Sequence, residues 1–430
     1  MSKASLSQWL QRLETLHPEE IELGLERVAR VANTLQLLPV KQPVVTVGGT
    51  NGKGSTVAVL EALLGEAGYC TGAFTSPHLL RFNERIRVAA ADAADADIVA
   101  AFAAIDEARG GVSLTYFEFA TLAALCIFKA RAPDIIVLEV GLGGRLDAVN
   151  IVDPTVSVIT SIDLDHQSWL GASRNEIARE KAGILRPGRP AVIADPDPPP
   201  DLIRCVTDIG AMPALYLGRE FTLNAGQDEW CAVLRQADGS SRSLAPQHCG
   251  ALLPENICVA VQAALLLGIE VTDECLARAL QHTILIGRRQ LRHVADRDYV
   301  LDVAHNPASV HKLLEYLSIT YCKGKTICLF SAMADKDIQS IVDTAAGHFD
   351  AWFLADQPAN KRAARAADIA TKLGGAGENM ISISKNLRQA FRRAQSAAAV
   401  GDRLVVFGSF STVAAVLPLL DKDAARHEGP

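Results

Sequence analysis

The sequence is short of several things. Aromatic residues make up only 5% of the 430, and charged residues 21%. No apolar run approaches the roughly 20 residues that span a bilayer, and the opening MSKASLSQWLQRLE carries polar and charged residues where a secretory signal needs an apolar segment. Membrane insertion and export are therefore not expected, and a cytoplasmic location is. Cys-x-x-Cys pairs are missing too. The nine cysteines are odd in number and irregular in spacing, which fits reduced thiols and neither a disulfide framework nor a zinc site. An excess of basic charge is also lacking: the net charge is −7, so no nucleic-acid surface is indicated.

What is there is a large apolar fraction, 49%, enough to fill two cores. Apolar positions recur at helical spacing through 5–38. Buried-strand patterns follow at 44–47, 135–140 (IIVLEV) and 156–162 (VSVITSI), with helices predicted over 56–67 and 117–129. Such alternation argues for a mostly parallel sheet covered on both faces. PDPPP at 196–200 breaks the pattern, 89–104 is alanine-rich, and 217–249 reads as a small β excursion. Strand patterns resume at 299–303, 326–330, 351–354 and 404–407, again alternating with helices. The expected fold is α/β: an N-terminal P-loop ATPase-like domain over 1–285 and a smaller Rossmann-like domain over 286–430, with the boundary near 284–290.

GGTNGKGST occupies 48–56, directly after the first strand. Glycines let backbone N–H groups approach a phosphate, the next helix adds the positive end of its dipole, and Lys53 adds a point charge. Ser55 or Thr56 offers a hydroxyl to Mg²⁺. A glycine-rich turn before an ordinary helix is the plain alternative, but a lysine and two hydroxyls between strand and helix favour nucleotide binding. A Rossmann dehydrogenase is excluded, because GGTNGKGS lacks the Gly-x-Gly-x-x-Gly spacing. The spelling departs from a general ATPase loop: Gly54 stands between Lys53 and Ser55.

With that extra glycine the loop resembles those of the Mur ligase superfamily, specifically folylpolyglutamate synthase/dihydrofolate synthase. Further segments carry the resemblance almost end to end: LGLERV (23–28), TSPHLLRFNERIRV (75–88), TYFEFAT (115–121), LEVGLGGRLDAVN (138–150), DLDHQSWLG (163–171), EKAGI (180–184), LPENICVA (253–260), GRRQ (287–290), DVAHNP (302–307), MADKD (333–337) and GSFSTVA (408–414).

The resemblance implies an ATP-dependent, ADP-forming ligase. It would join L-glutamate to the carboxylate of dihydropteroate and extend reduced folates by γ-linked glutamates through an acyl phosphate. It also implies residue roles. Thr50, Asn51, Gly52, Lys53, Gly54, Ser55, Thr56, Asn256, Arg288 and Asp302 would hold ATP. Ser76, Glu139 and His166, with Ser55, would hold two Mg²⁺ ions, and a monovalent cation is a further expectation. Glu139 ends an apolar strand, where an unpaired carboxylate is costly to bury, and a buried salt bridge is the other reading of it. Lys181 matches a lysine that is carbamylated in the family; read alone, it is a cation at a helix C-terminus. His305 would belong to the glutamate side, with Ser409. Glu22, Leu23, Gly24, Leu25, Thr115, Tyr116, Phe117, Glu118 and Leu146 would face the pterin substrate. Where the family often has GSFHT, this chain has Ser411, so any role of that histidine does not carry over. The implied partners are small molecules only, and a monomer is expected. The alternatives are an enzyme with one of the two activities, a cell-wall Mur ligase, and a nucleotide-binding scaffold without catalysis.

Overall fold

A computed structural model describes residues 4–19, 21–226, 229–248, 250–283, 285–377 and 380–427. Residue 284 of the expected boundary, and residues 227, 228 and 249 of the expected β excursion, lie outside them. The chain divides into two compact units, Met1–Ile284 and Leu285–Pro430. Among the described residues no helix is long and apolar enough to cross a membrane.

The first unit is built on eight strands: β1 (Val44–Gly48), β2 (Thr71–Phe74), β3 (Ile86–Val88), β4 (Ala91–Asp92), β5 (Ile135–Glu139), β6 (Val156–Ile159), β7 (Ala191–Ile193) and β8 (Ala214–Tyr216). Their order is β4-β3-β2-β5-β1-β6-β7-β8. From β2 to β8 all neighbours are parallel; only β3 and β4 run antiparallel, at one edge. The central strands are buried on both faces, which is why they read as continuous apolar runs and not as alternation. Register places Val47 beside both Glu139 and Val158, so β1, β5 and β6 end together. In parallel sheets ligands bind at this carboxyl edge.

Helix starts are set by local chemistry. Thr115 and Glu118 form a capping box that begins the helix Tyr116–Arg131, and Ser173 and Glu176 do the same for Arg174–Ala182. The helical pattern over 5–38 resolves into two helices, Leu6–Leu16 and Glu26–Thr34. The alanine-rich stretch becomes β4 and the helix Asp95–Arg109. The polar excursion is a separate antiparallel sheet of β9 (Thr222–Ala225), β10 (Glu229–Arg235) and β11 (Ser241–His248). Gln262, fully buried on the helix Pro254–Leu266, accepts from Arg235 N and donates to Arg235 O, pinning β10 to that helix.

The second unit has β12 (Gln290–Val294), β13 (Arg297–Leu301), β14 (Thr326–Phe330), β15 (Ala351–Ala355), β16 (Ile381–Ser384) and β17 (Arg403–Phe407), in the order β12-β13-β17-β14-β15-β16. All but β12 are parallel to their neighbours. Its own core gathers Trp352, Phe330, Phe407 and Val405.

Candidate active site

The glycine loop leaves β1 through positions that need glycine. Gly49 has φ +141°, and a Cβ there would stand 1.9 Å from Thr160 Oγ1. Gly52 has φ +88°, and a Cβ would stand 2.4 Å from Asn256 Oδ1. The loop is lashed to the residues after β6. Thr50 N donates to Ser161 O (2.7 Å), Thr160 Oγ1 to Asn51 O (2.6 Å), and Asp163 N to Thr50 Oγ1 (3.0 Å). Gly54 is different. It lies in the first turn of the helix Lys53–Glu66 without positive φ, so backbone conformation does not require it. Its missing Cβ would sit 3.5 and 3.6 Å from the Glu139 carboxylate oxygens. The extra glycine leaves the space beside Glu139 open.

Charge is concentrated here. Lys53 Nζ donates to Gly49 O (3.0 Å) and Thr50 O (3.1 Å), and Lys181 Nζ donates to the same Gly49 O (2.8 Å). Lys181 is only 3% exposed. Burial first, then the charge of Lys53, lower its pKa from 10.5 to about 7, against the pull of Asp165, Asp147 and Asp163. Ser55 and Thr56 are both buried, and among the described residues Thr56 Oγ1 has no hydrogen-bond partner.

Glu139 is buried at the end of β5 and accepts from Ser76 N (3.0 Å), which joins two of the expected metal ligands. His166 adopts a left-handed conformation (φ 50°) before the short helix Gln167–Leu170, and its N–H donates to Asp165 Oδ1 (2.8 Å). Among the described residues no three His, Cys, Asp or Glu side chains converge on a common metal position. A buried carboxylate beside a cleared space and two buried hydroxyls fit Mg²⁺, which takes few protein ligands and fills its shell with phosphate oxygens and water. They do not fit a cation that needs an all-protein cage.

The expected substrate segments converge. Gly24 N donates to Leu146 O (3.3 Å), joining the segment of Glu22, Leu23 and Leu25 to the loop after β5. Arg27 bridges Glu22 and the buried Glu118 (3.1 Å to Oε1), while His17 Nε2 meets Glu22 Oε2 at 2.7 Å. Phe117 packs against Phe74 (ring centroids 5.8 Å) and closes on Gly141, where a Cβ would be 2.6 Å from its ring. Tyr116 meets Phe82 edge-on at 5.9 Å.

In the second unit Arg288, Asp302, His305 and Ser409 gather near the carboxyl ends of β13 and β17. The Arg288 guanidinium lies over the Phe410 ring (4.7 Å), and His305 faces the same ring (6.4 Å). Asp302 accepts from Arg289 N (2.8 Å) and Ala304 N (2.7 Å); burial raises its pKa while Arg288 lowers it. His305 Nδ1 lies 2.8 Å from Val303 O; a carbonyl only accepts, so Nδ1 carries the proton. Ser409 caps the helix Phe410–His427 by accepting from Thr412 N (3.1 Å). Ser411, at the position that departs from the family pattern, donates to Gln357 Oε1 (2.7 Å).

The glutamate ligase domain of the Mur ligases matches residues 287–410. A dihydrofolate synthase/folylpolyglutamate synthase of Escherichia coli K12 is 39% identical over 425 residues, covering 99% of this chain and 97% of that protein. This chain belongs to the dihydrofolate synthase/folylpolyglutamate synthase family. A relative from Haemophilus influenzae with the same description is 37% identical, covering 95% of this chain and 96% of its own. The structure of E. coli FolC in complex with DHPP and ADP superposes with TM-score 0.92 at 37% identity, over 98% of this chain and 99% of that one. A bifunctional folylpolyglutamate synthase/dihydrofolate synthase with Mn, AMPPNP and L-glutamate bound gives 0.89 at 38% identity, over 97% and 98%.

Other polar groups of this synthase fold were not singled out by sequence. Asp147 is buried, accepts from Leu142 N (2.8 Å) and Val149 N (3.0 Å), and is raised by burial to about 6. Its place in GGRLDAVN was visible, but nothing local marks it as buried. His78 and Arg85 form a pair (Nε to Nδ1, 2.8 Å) inside TSPHLLRFNER, and burial, then Arg85, lowers His78 to about 4. Arg27 was hidden in what reads as a plain amphipathic helix.

Proposed function

We propose that the glycine loop and the carboxyl edge of the first sheet carry an ATP-driven ligation, with these residues in named roles. The enzyme joins L-glutamate to the carboxylate of dihydropteroate and adds γ-linked glutamates to reduced folates, releasing ADP and phosphate. The observation that carries the residue assignment is the convergence of Lys53 and Lys181 on one loop carbonyl, with Glu139 facing the space left by Gly54.

The substrate carboxylate attacks the γ-phosphate, forming an acyl phosphate and freeing ADP. The amine of glutamate then attacks the acyl carbon, and phosphate leaves. No enzyme nucleophile is needed; positioning and electrostatics do the work. Lys53 turns from its loop carbonyls to the phosphates. Thr50 to Thr56 supply backbone donors, and Asn256 closes the loop from the side of Gly52. Ser55, Ser76, Glu139 and His166 would hold the divalent metal. When bound, the metal neutralises charge between phosphate and carboxylate. Lys181, whose pKa burial lowers to about 7, has enough neutral amine near that pH to take up CO₂ and present an anion toward the metal site. Glu22 to Leu25, Thr115 to Glu118 and Leu146 form the pterin pocket. Arg288 and Asp302 are assigned to nucleotide, and His305 and Ser409 to glutamate. Two Mg²⁺ ions, a monovalent cation, a monomeric state and a cytoplasmic location complete the proposal.

The test is ADP release by the pure protein with Mg²⁺ and bicarbonate. Release is expected with dihydropteroate plus glutamate and with a reduced folate plus glutamate, each substrate being required. Turnover of only one acceptor would reduce the enzyme to a single activity. Turnover only with a UDP-linked muramoyl acceptor would overturn the reading.

A further inference from the structure

Arg85 is a buried cation whose terminal donors find no partner. It is 8% exposed. Its Nε donates to His78 Nδ1 (2.8 Å), and among the described residues neither Nη group has a hydrogen-bond partner. The charge is faced by two rings: the guanidinium carbon lies 5.7 Å from the centroid of Phe82 and 5.6 Å from that of Tyr116. Such contacts soften the cost of burial but leave four N–H donors unmet. The carboxylates whose charge reaches it are otherwise engaged. Glu84 accepts from Leu79, Leu80 and Arg81 N–H groups (2.7, 2.9 and 2.6 Å), and Glu139 accepts from Ser76 N. Neither Nη group is among the fully buried unpartnered atoms, so the unmet donors stay open to solvent and to an incoming anion.

We propose that Arg85 binds the reacting carboxylate of the pterin substrate, its Nη fork on the two oxygens and the substrate's benzoyl ring against Phe82 and Tyr116. The ligand class follows from the surroundings. A planar guanidinium matches a planar carboxylate in bidentate fashion. The walls are aromatic, and Tyr116 belongs to a segment already placed at the pterin pocket. The phosphates have their own cations at the glycine loop. This inference rests on the function proposed above.

The experiment measures binding of two probes to the ADP-loaded enzyme by calorimetry: dihydropteroate, and its analogue with hydrogen in place of the carboxyl group. Wild-type enzyme should prefer dihydropteroate by roughly ten- to a hundredfold, the range of a charge-assisted pair. Arg85→Met should erase that preference while binding the analogue within about twofold of wild type. Arg85→Lys, which keeps charge but not the fork, should retain part of it and covers the case in which the methionine variant does not fold. A preference that survives in both variants, or an equal loss for both probes, overturns the assignment and leaves Arg85 a packing residue. Failure of wild type to bind dihydropteroate at all overturns the proposed function, and this assignment with it.

Discussion

At the scale of the residue, the site turns on atoms that are missing or shared. Gly54 lacks the methyl that would meet Glu139 at 3.5 Å, yet its backbone is ordinary helix. Gly54→Ala should therefore leave melting temperature unchanged or raise it, since alanine favours a helix by about 0.5–1 kcal/mol. It should also raise the Mg²⁺ concentration needed for half-maximal turnover several-fold, and a magnesium titration of kcat reads this directly. Lys181 gives a pH prediction. The folded protein holds its amine at about pKa 7 against an ordinary 10.5, so between those values the unfolded chain binds more protons than the folded one. Stability contributed by this residue then rises with pH across that window and is lowest below it. In CO₂-depleted buffer, Lys181→Met should melt higher than wild type at pH 7, the gap narrowing as pH approaches 10. A constant gap would mean that the lysine is charged in the fold. Much of this was legible beforehand: Lys53, Glu139 and Lys181 stood out by motif. Asp147 and Arg85 did not, because burial is decided by chain segments far away in sequence.

At the scale of the element, strands and helix starts followed from local rules, while attachment did not. The central strands were readable because burial on both faces leaves only apolar choices. The three-stranded sheet of β9, β10 and β11 was foreseen as a small β excursion, without its attachment. Its anchor is Gln262, a polar residue in an apolar helix whose two bonds to Arg235 replace a strand pairing. Gln262→Leu leaves the part-buried N–H and carbonyl of Arg235 unmet and should cost about 1–3 kcal/mol. Urea unfolding measures that loss. Because the same helix begins near Asn256, which faces Gly52, the variant should also weaken ADP binding.

At the scale of the whole molecule, each unit carries its own sheet and its own buried cluster. Residues 285–430 expressed alone should unfold in one cooperative transition by circular dichroism. A non-cooperative melt would show that this unit depends on the rest of the chain. The two-unit division was readable because the strand pattern stops and restarts. The packing of Arg288 and His305 against Phe410 was not, since that ring is brought to them from more than a hundred positions away in sequence. The shared carbonyl of Gly49 has a consequence for laboratory handling. Lys53 and Lys181 share one carbonyl oxygen, so an oxyanion that drew Lys53 away from it would stabilise the protein by mass action. A ligand screen run in phosphate or sulfate would start from an already stabilised baseline and miss weak nucleotide mimics; chloride-based buffers keep that window open.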